Sequence, residues 1–150
     1  MTWRLGHSAE SSATTADIWR RDVDVAHWCD WSRHGVEWSR LDGPFEVGTM
    51  GKSKAPGLPS GRFLLVGVEP ERMFATEMRL PGGRLFFEHL IEPLEAGVRI
   101  THRARIHGPL AFLYARVLRH SIVRGLPDGV DGLASTKGLV SRRPRGGVRP

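Results

Sequence analysis

The chain has 150 residues, of which 40% are hydrophobic and 25% charged, a composition typical of a single globular domain. Its net charge is +6, but residues 132–150 alone contribute five positive charges and no acid. A basic face on the folded part, which specific nucleic-acid binding would need, is therefore not expected. The single cysteine, Cys29, excludes an intramolecular disulfide, and no apolar run is long enough to span a bilayer. The first residues lack the apolar segment of a secretory signal, so the expected location is the cytoplasm.

The first forty residues predict one strand followed by two short helices. Residues 2–8 have the pattern of a strand, and the hydroxyl residues after them supply N-caps for a helix that begins near residues 13–17. A second short helix is expected at residues 24–28. All five tryptophans precede residue 39, and we expect Trp28 and Trp31 to be core residues.

The middle of the chain predicts an antiparallel sheet. Turns rich in glycine and proline separate the strand candidates, which are residues 36–41, 47–54, 62–68, 73–80, 85–92 and 98–107. The last candidate alternates cleanly, so that its even-numbered residues face inward and its arginines face solvent. His102 is the one polar member of that inward set.

A long helix is predicted from Pro109 to about Leu139, because Gly108-Pro109 ends the last strand and proline suits the first helical turn. Leu110, Leu113 and Val117 are expected to form its apolar stripe. Gly125-Leu126-Pro127 predicts a kink or interruption. We therefore expect one α+β domain over residues 1–140, in which a curved antiparallel sheet wraps around the terminal helix and leaves a cavity. The basic tail, residues 141–150, is expected to be disordered.

Several short motifs follow one another in an order that is typical of a known superfamily. They are Ile18-Trp19 with Asp22-Val23, the pair Trp28 and Trp31, Leu41 to Phe45 with Gly48-Thr49, Phe87 and His89 with Glu92-Pro93, Gly97 to His102, Gly108 to Ala111, and Leu126-Pro127 with Leu133-Ala134. Over about residues 3–139 this pattern resembles the polyketide cyclase/dehydrase and lipid-transport families of the START-like, helix-grip superfamily (SRPBCC). The resemblance implies a helix-grip fold with a hydrophobic cavity. It implies binding of lipids, steroids or polyketides, and in a minority of members cyclisation or dehydration. No catalytic motif of the aromatic polyketide cyclases maps onto this chain.

His102 is the candidate catalytic residue and the first candidate ligand contact. An inward imidazole is suited to general acid–base catalysis or to a hydrogen bond with a ligand. The alternative is a core histidine whose hydrogen bonds are made within the protein. The neighbouring strand offers Glu88 opposite His102 in one hairpin register and Phe87 in the other, so either of them is a candidate beside it. The sequence leaves open whether Glu88 or His89 faces the cavity.

Two further side chains are candidate ligand contacts. Trp38 would stack on a planar ring, and Tyr114, the only tyrosine, would offer its hydroxyl from the terminal helix. Each also has an ordinary structural interpretation, as a core residue and as a surface residue respectively. No glycine-rich phosphate loop occurs, so no nucleotide cofactor is implied. The spacing of His7, His27, His34, His107 and His120 predicts no metal site.

Three functions remain open at the level of sequence. The first is a carrier or sensor that binds a small hydrophobic molecule, and the second is an enzyme of the polyketide cyclase or dehydratase type that uses a cavity histidine. The third is an interaction protein whose own aromatic side chains, with Met78, fill the cavity. The expected partner is a small hydrophobic molecule, with no specific nucleic acid and no membrane span; a homodimer stays open.

Overall fold

The computed structural model describes residues 2–32 and 34–135, and the basic tail of residues 141–150 lies outside them. Within the described residues, seven strands form one curved, fully antiparallel sheet in the order β1-β7-β6-β5-β4-β3-β2. The strands are β1 (Thr2–Ser11), β2 (Trp38–Leu41), β3 (Met50–Lys54), β4 (Gly61–Glu69), β5 (Met73–Leu80), β6 (Gly83–Leu94) and β7 (Gly97–His107). The helices are α1 (Thr15–Asp22), α2 (Trp28–Trp31) and α3 (Ala111–Ala134). The predicted α+β arrangement, a sheet followed by one long helix, is confirmed.

The first helix begins at one of the expected hydroxyl residues. The backbone N–H of Asp17 donates to Oγ1 of Thr14 at 3.1 Å, so Thr14 is the N-cap of α1. Ile18 and Asp22, four residues apart, lie on the same side of the helix and are both fully buried. Asp22, the last residue of α1, is therefore carried into the interior of the protein.

The hairpin between β6 and β7 has a register that differs from both sequence-based alternatives. The strands continue up to the pair Leu94 and Gly97, so only two residues form the turn, and Gly97 has a positive φ of 129°. The sequence predicts that the first of these strands ends before position 93, because a proline is unusual inside a strand. As a result His89, rather than Glu88 or Phe87, lies directly opposite His102.

The face that α3 turns toward the sheet also differs from the expected stripe. Leu110, Leu113 and Val117 are exposed, whereas the buried residues are smaller or lie further along the helix. The buried residues of α3 that contact the sheet are Ala111, Ala115, Ile122 and Leu126, which pack with Leu85, Ala104 and Ile106. Alanine at the first two contact positions lets the helix approach the sheet closely, and the larger apolar side chains therefore lie outside.

The helix is not interrupted at Pro127 as expected, since α3 continues through this residue to Ala134. Glycines hold this part of the helix against the segment after α2. A Cβ atom on Gly125 would lie 2.6 Å from the Cα of Gly35, and one on Gly132 would lie 1.9 Å from the carbonyl oxygen of Trp31. This close backbone contact fixes the second half of α3 beside the sheet. It therefore positions the helix that closes the cavity.

Candidate functional site: a cavity beside a buried histidine pair

A cavity of about 310 Å³ lies between the inner face of the sheet and α3. Its walls are mainly apolar, with side chains such as Phe63, Met78, Leu85, Phe87, Leu118 and Ile122. Pro59 and Ser60, in the loop before β4, are exposed members of the lining, so this loop borders the cavity mouth. The polar lining includes two imidazoles, those of His89 and His102.

These imidazoles belong to a row of histidines that crosses three adjacent strands. His7 of β1 lies opposite His102 of β7, which in turn lies opposite His89 of β6. The ring centroids of His89 and His102 are 3.9 Å apart. His89 also stacks on the ring of Phe74, with centroids 4.0 Å apart and an interplanar angle of 20°. The strand register therefore places two nearly buried imidazoles in direct contact.

A buried carboxyl group lies beside this pair. Oδ1 of Asp22 is 3.9 Å from Nδ1 of His89, and the Asp22 side chain is 1% exposed. The end of α1 is held in place by the indole N–H of Trp28, which donates to the backbone oxygen of Asp22 at 2.8 Å. The neighbouring Arg21 donates from Nη1 to the carbonyl oxygens of Gly132 and Leu133, which ties α1 to the end of α3.

Burial disfavours the charged form of each of these three groups. It lowers the pKa of His102 to about 3, an effect that His7 reinforces. Burial likewise lowers the pKa of His89 well below its ordinary value, with a further contribution from His102. It raises the pKa of Asp22 well above its ordinary value, against the opposing effect of Arg21.

Four buried polar atoms of this group have no hydrogen-bond partner in the part of the chain that the structure describes. Among residues 2–32 and 34–135, neither carboxyl oxygen of Asp22, nor Nδ1 of His89, nor Nε2 of His102 has a hydrogen-bond partner. Buried polar groups in native proteins normally have partners, and unpaired ones indicate a strained or functional position. These four buried atoms are therefore available for a further interaction.

The structure brings together only some of the candidate site residues. His102 and Phe87 line the cavity, as a ligand contact requires. Glu88 points to the other face of the sheet, where its carboxylate lies 3.9 Å from Nη1 of Arg103, because neighbouring strand residues face opposite sides. Of the two alternatives that the sequence left open, the one that pairs Glu88 with His102 is therefore wrong, and Glu88 is not a cavity residue.

Two other candidates lie away from the cavity lining. Trp38 is 36% exposed and belongs to β2, one of the two edge strands of the sheet. The hydroxyl of Tyr114 donates to the carbonyl oxygen of Pro81 at 2.6 Å, so it anchors the first turns of α3 to the β5–β6 turn. Neither residue is part of the cavity wall.

Nothing in the sequence marks Asp22 as a site residue, and the sequence leaves the orientation of His89 open. Period-two alternation with Leu85, Phe87 and Ile91 was the available signal for His89, since all four share one face of β6. No local signal marks Asp22, because its neighbours in the site are 67 and 80 positions away along the chain. The spacing of histidines along the chain likewise predicts no metal site, because it does not report contacts between residues that are distant in sequence.

No helix in residues 2–32 and 34–135 has both the length and the apolar character that crossing a bilayer demands. No family model matches the sequence, and no curated protein sequence matches it.

Solved structures share the fold at low sequence identity. The ZhuI aromatase/cyclase of Streptomyces sp. R1128 superposes with a TM-score of 0.77 at 12% identity, covering 99% of this chain and 100% of that one. Norcoclaurine synthase of Thalictrum flavum, in a complex with dopamine and hydroxybenzaldehyde, gives a TM-score of 0.71 at 18% identity and covers 95% of this chain and 89% of that one. Ara h 8.0201 gives 0.62 at 12% identity, covering 90% of this chain and 100% of that one. The chain therefore shares the helix-grip fold of these proteins, which is the fold that the resemblance of its motifs implied.

Proposed function

We propose that this protein binds a small, largely apolar molecule in the cavity between the sheet and α3, as a carrier or sensor, and that His102 contacts the polar group of that molecule. The observation that carries this proposal is an apolar cavity of about 310 Å³ with two nearly buried imidazoles in its wall. Ligand sites are usually apolar pockets of this order of size with a few polar groups that fix orientation. The structure of norcoclaurine synthase, which has the same fold, includes small aromatic ligands. This supports a small aromatic molecule as the ligand here.

The size of the cavity argues against an interaction protein that fills its own interior. Phe63, Phe87 and Met78 reach the cavity wall, yet the space between them stays open. Phe112, by contrast, is 58% exposed on α3, and Phe86 lies on the outer face of the sheet against Arg105. The aromatic side chains are thus too dispersed to occupy the cavity.

A fluorescent aromatic ketone, prodan, tests the binding proposal. Its carbonyl accepts a hydrogen bond, and its emission reports transfer from water into an apolar site. We expect saturable binding to the wild-type protein and about fivefold weaker binding to His102→Phe, since one hydrogen bond is worth on the order of 1 kcal/mol.

Two variants make that experiment specific. His107→Phe is the matched control, because it makes the same change on the same strand but on the other face of the sheet, and it should retain wild-type affinity. Leu118→Trp places an indole in the cavity wall and should abolish binding. Wild-type affinity in Leu118→Trp would show that the probe binds elsewhere, and the proposal would fail.

The second candidate function is catalysis of the cyclase or dehydratase type, in which a cavity histidine acts as acid or base. What favours it is the contact between two imidazoles and a carboxyl group beside an apolar cavity, on a fold shared with an aromatase/cyclase. What ranks it second is the pKa of about 3 for His102, because such an imidazole is a weak proton acceptor near neutral pH.

An enolisable diketone, benzoylacetone, separates the two functions. A catalyst of enolisation accelerates the exchange of its α-protons for deuterium, which NMR follows directly. Exchange above the buffer rate that is lost in His102→Phe and kept in His107→Phe would support catalysis. Exchange at the buffer rate, together with saturable prodan binding, would leave the carrier or sensor function.

A further inference from the structure

We propose that Asp22, His89 and His102 form a binding site for a divalent first-row transition metal ion at the edge of the cavity. Metal binding would be separate from the proposed ligand function, and three donor side chains from three separate elements converge at this site. Asp22 ends α1, His89 lies in the middle of β6 and His102 in the middle of β7. One donor atom from each lies within 4.8 Å of the other two.

The donor atoms are free to bind a cation. Both carboxyl oxygens of Asp22, Nδ1 of His89 and Nε2 of His102 are inaccessible to solvent and have no hydrogen-bond partner in residues 2–32 and 34–135. The neighbouring Arg21 directs Nη1 to backbone carbonyl oxygens at the end of α3. A bound metal ion would satisfy the carboxylate and both imidazoles at once.

The chemistry of the donors favours zinc, iron or cobalt over calcium or magnesium. Two imidazole nitrogens and one carboxylate are typical ligands of such transition metals, whereas calcium and magnesium prefer sets made of oxygen atoms. Donors in a tetrahedral zinc site lie about 3.4 Å apart, given bonds of about 2.0–2.1 Å. Oδ1 of Asp22 and Nδ1 of His89 are 3.9 Å apart, so a movement of about 1 Å or less in each side chain closes the site.

The position of the site leaves part of the coordination sphere for another ligand. Three protein donors are one fewer than a closed structural zinc site contains. His89 and His102 both line the cavity, so a bound ion would lie beside the space that a small molecule would occupy. The aromatic rings of Phe74 and Trp28 stack on His89 and limit its rotation.

Two histidine–carboxylate pairs on the protein surface serve as the comparison for the buried site. His27 with Asp24 and His34 with Asp128 are two-residue pairs at 2.8 and 3.3 Å, and all four side chains are substantially more exposed than the buried group. Such pairs bind metal ions weakly because they offer two donors to an ion that water also solvates. The double variant His27→Gln/His34→Gln therefore serves as the matched control.

Metal binding is measured with Zn²⁺ alone, without any organic ligand, so that the outcome is independent of the proposed ligand function. Full-length protein is stripped with a chelator and titrated with Zn²⁺ against a competing chromophoric chelator, and Co²⁺ is then used to report coordination by its visible absorption. We expect one tightly bound ion per chain. Asp22→Asn, His89→Gln and His102→Gln should each weaken binding by more than about 100-fold, which exceeds the usual 10–100-fold effect of losing an outer contact. The surface double variant should bind as the wild type does.

Nitrogen NMR of histidine-labelled wild-type protein provides a measurement that needs no variant at the site. If the buried variants fail to fold, Zn²⁺ must still shift the resonances of Nδ1 in His89 and Nε2 in His102. The absence of stoichiometric binding by the wild type would overturn the proposal. So would unshifted resonances of these two nitrogens, or tight binding that is lost in the surface double variant and kept in His89→Gln.

Discussion

Residues 111–123 of α3 turn several large apolar side chains toward solvent, whereas residues 125–133 bury nearly all of theirs. In the first part Phe112, Leu113, Val117 and Val123 are exposed, and contact with the sheet is made mainly through Ala111, Ala115 and Ile122. In the second part Leu126, Val130 and Leu133 are buried, and glycines bring the backbone against residues 31–35.

This difference shows which part of the helix fixes the site. The second half of α3 covers His102: a Cβ atom on Gly129 would lie 3.7 Å from Nδ1 of this residue. The first half is held at its beginning by Tyr114 and by the backbone of Leu110, whose N–H donates to the carbonyl oxygen of Gly82 at 3.0 Å. Substitutions in the second half should therefore affect stability and the histidine environment far more than those in the first half.

The largest effect is expected for Gly132→Ala. The new methyl group would lie 1.9 Å from the carbonyl oxygen of Trp31, so one of the two backbone segments must move. We expect a loss of about 3 kcal/mol or more in the free energy of unfolding, measured by urea denaturation. Gly6→Ala is the control, because its Cβ atom would be 3.6 Å from its nearest neighbour, and it should have little effect. Equal losses in both variants would show that the close contact at Gly132 does not determine stability.

The next largest effect is a loss of stability at low pH. It is measured with a chelator present, so that no metal ion competes with protons for the histidines. His102 has a pKa of about 3 in the folded protein and about 6.5 when unfolded, so the unfolded chain binds more protons between these values. Stability is therefore fully present above pH 6.5 and is lost as the pH falls toward 3. His102 alone should remove about 2.5 kcal/mol between pH 7 and pH 4.5, at about 1.4 kcal/mol per pH unit.

The groups around His102 set the remaining pH dependence. His89 acts in the same direction, because burial lowers its pKa as well. Asp22 acts in the opposite direction: its raised pKa gives stability that is complete below the unfolded value of 3.8 and is lost as the pH rises through the folded value. His7, on the other side of His102, pairs with Asp131 at 3.1 Å.

Replacing His102 measures how much this residue contributes to the loss of stability in acid. His102→Phe should reduce the loss of stability between pH 7 and pH 4.5 by about 2.5 kcal/mol. Phe87→Leu changes the same cavity wall without removing a titrating group, so it should keep the wild-type pH dependence. An unchanged slope in His102→Phe would mean that water reaches this imidazole in the folded state.

One substitution made at two positions compares the halves of α3 directly. Val130 is fully buried and Val117 is 61% exposed, so Val130→Ala removes core contacts and Val117→Ala does not. We expect a loss of about 2 kcal/mol for the first and of less than about 0.5 kcal/mol for the second, by urea denaturation. Similar losses at both positions would indicate that another surface covers the first half of α3 in solution.

The sequence predicted the elements better than their faces and registers. Alternation along β7 correctly predicted the inward set, because period two follows from strand geometry alone. The stripe on α3 was wrong because hydrophobicity favours leucine and valine, while the close approach of helix and sheet selects alanine and glycine. The hairpin register depended on a two-residue turn that follows a proline. Asp22 joins the histidines only through tertiary packing, which no local pattern reports.

A smaller effect than at Val130 is expected at the beginning of α3, for Tyr114→Phe. The hydroxyl donates to the carbonyl oxygen of Pro81 at 2.6 Å and lies outside the cavity wall. Loss of this hydrogen bond should lower the free energy of unfolding by about 1 kcal/mol and leave prodan affinity unchanged. His102→Phe should show the reverse for prodan, since its imidazole lines the cavity. A fall in prodan affinity in Tyr114→Phe at unchanged stability would instead support the sequence-based expectation that the tyrosine hydroxyl contacts the ligand. In that case the first half of α3 would have to move toward the sheet when a ligand binds.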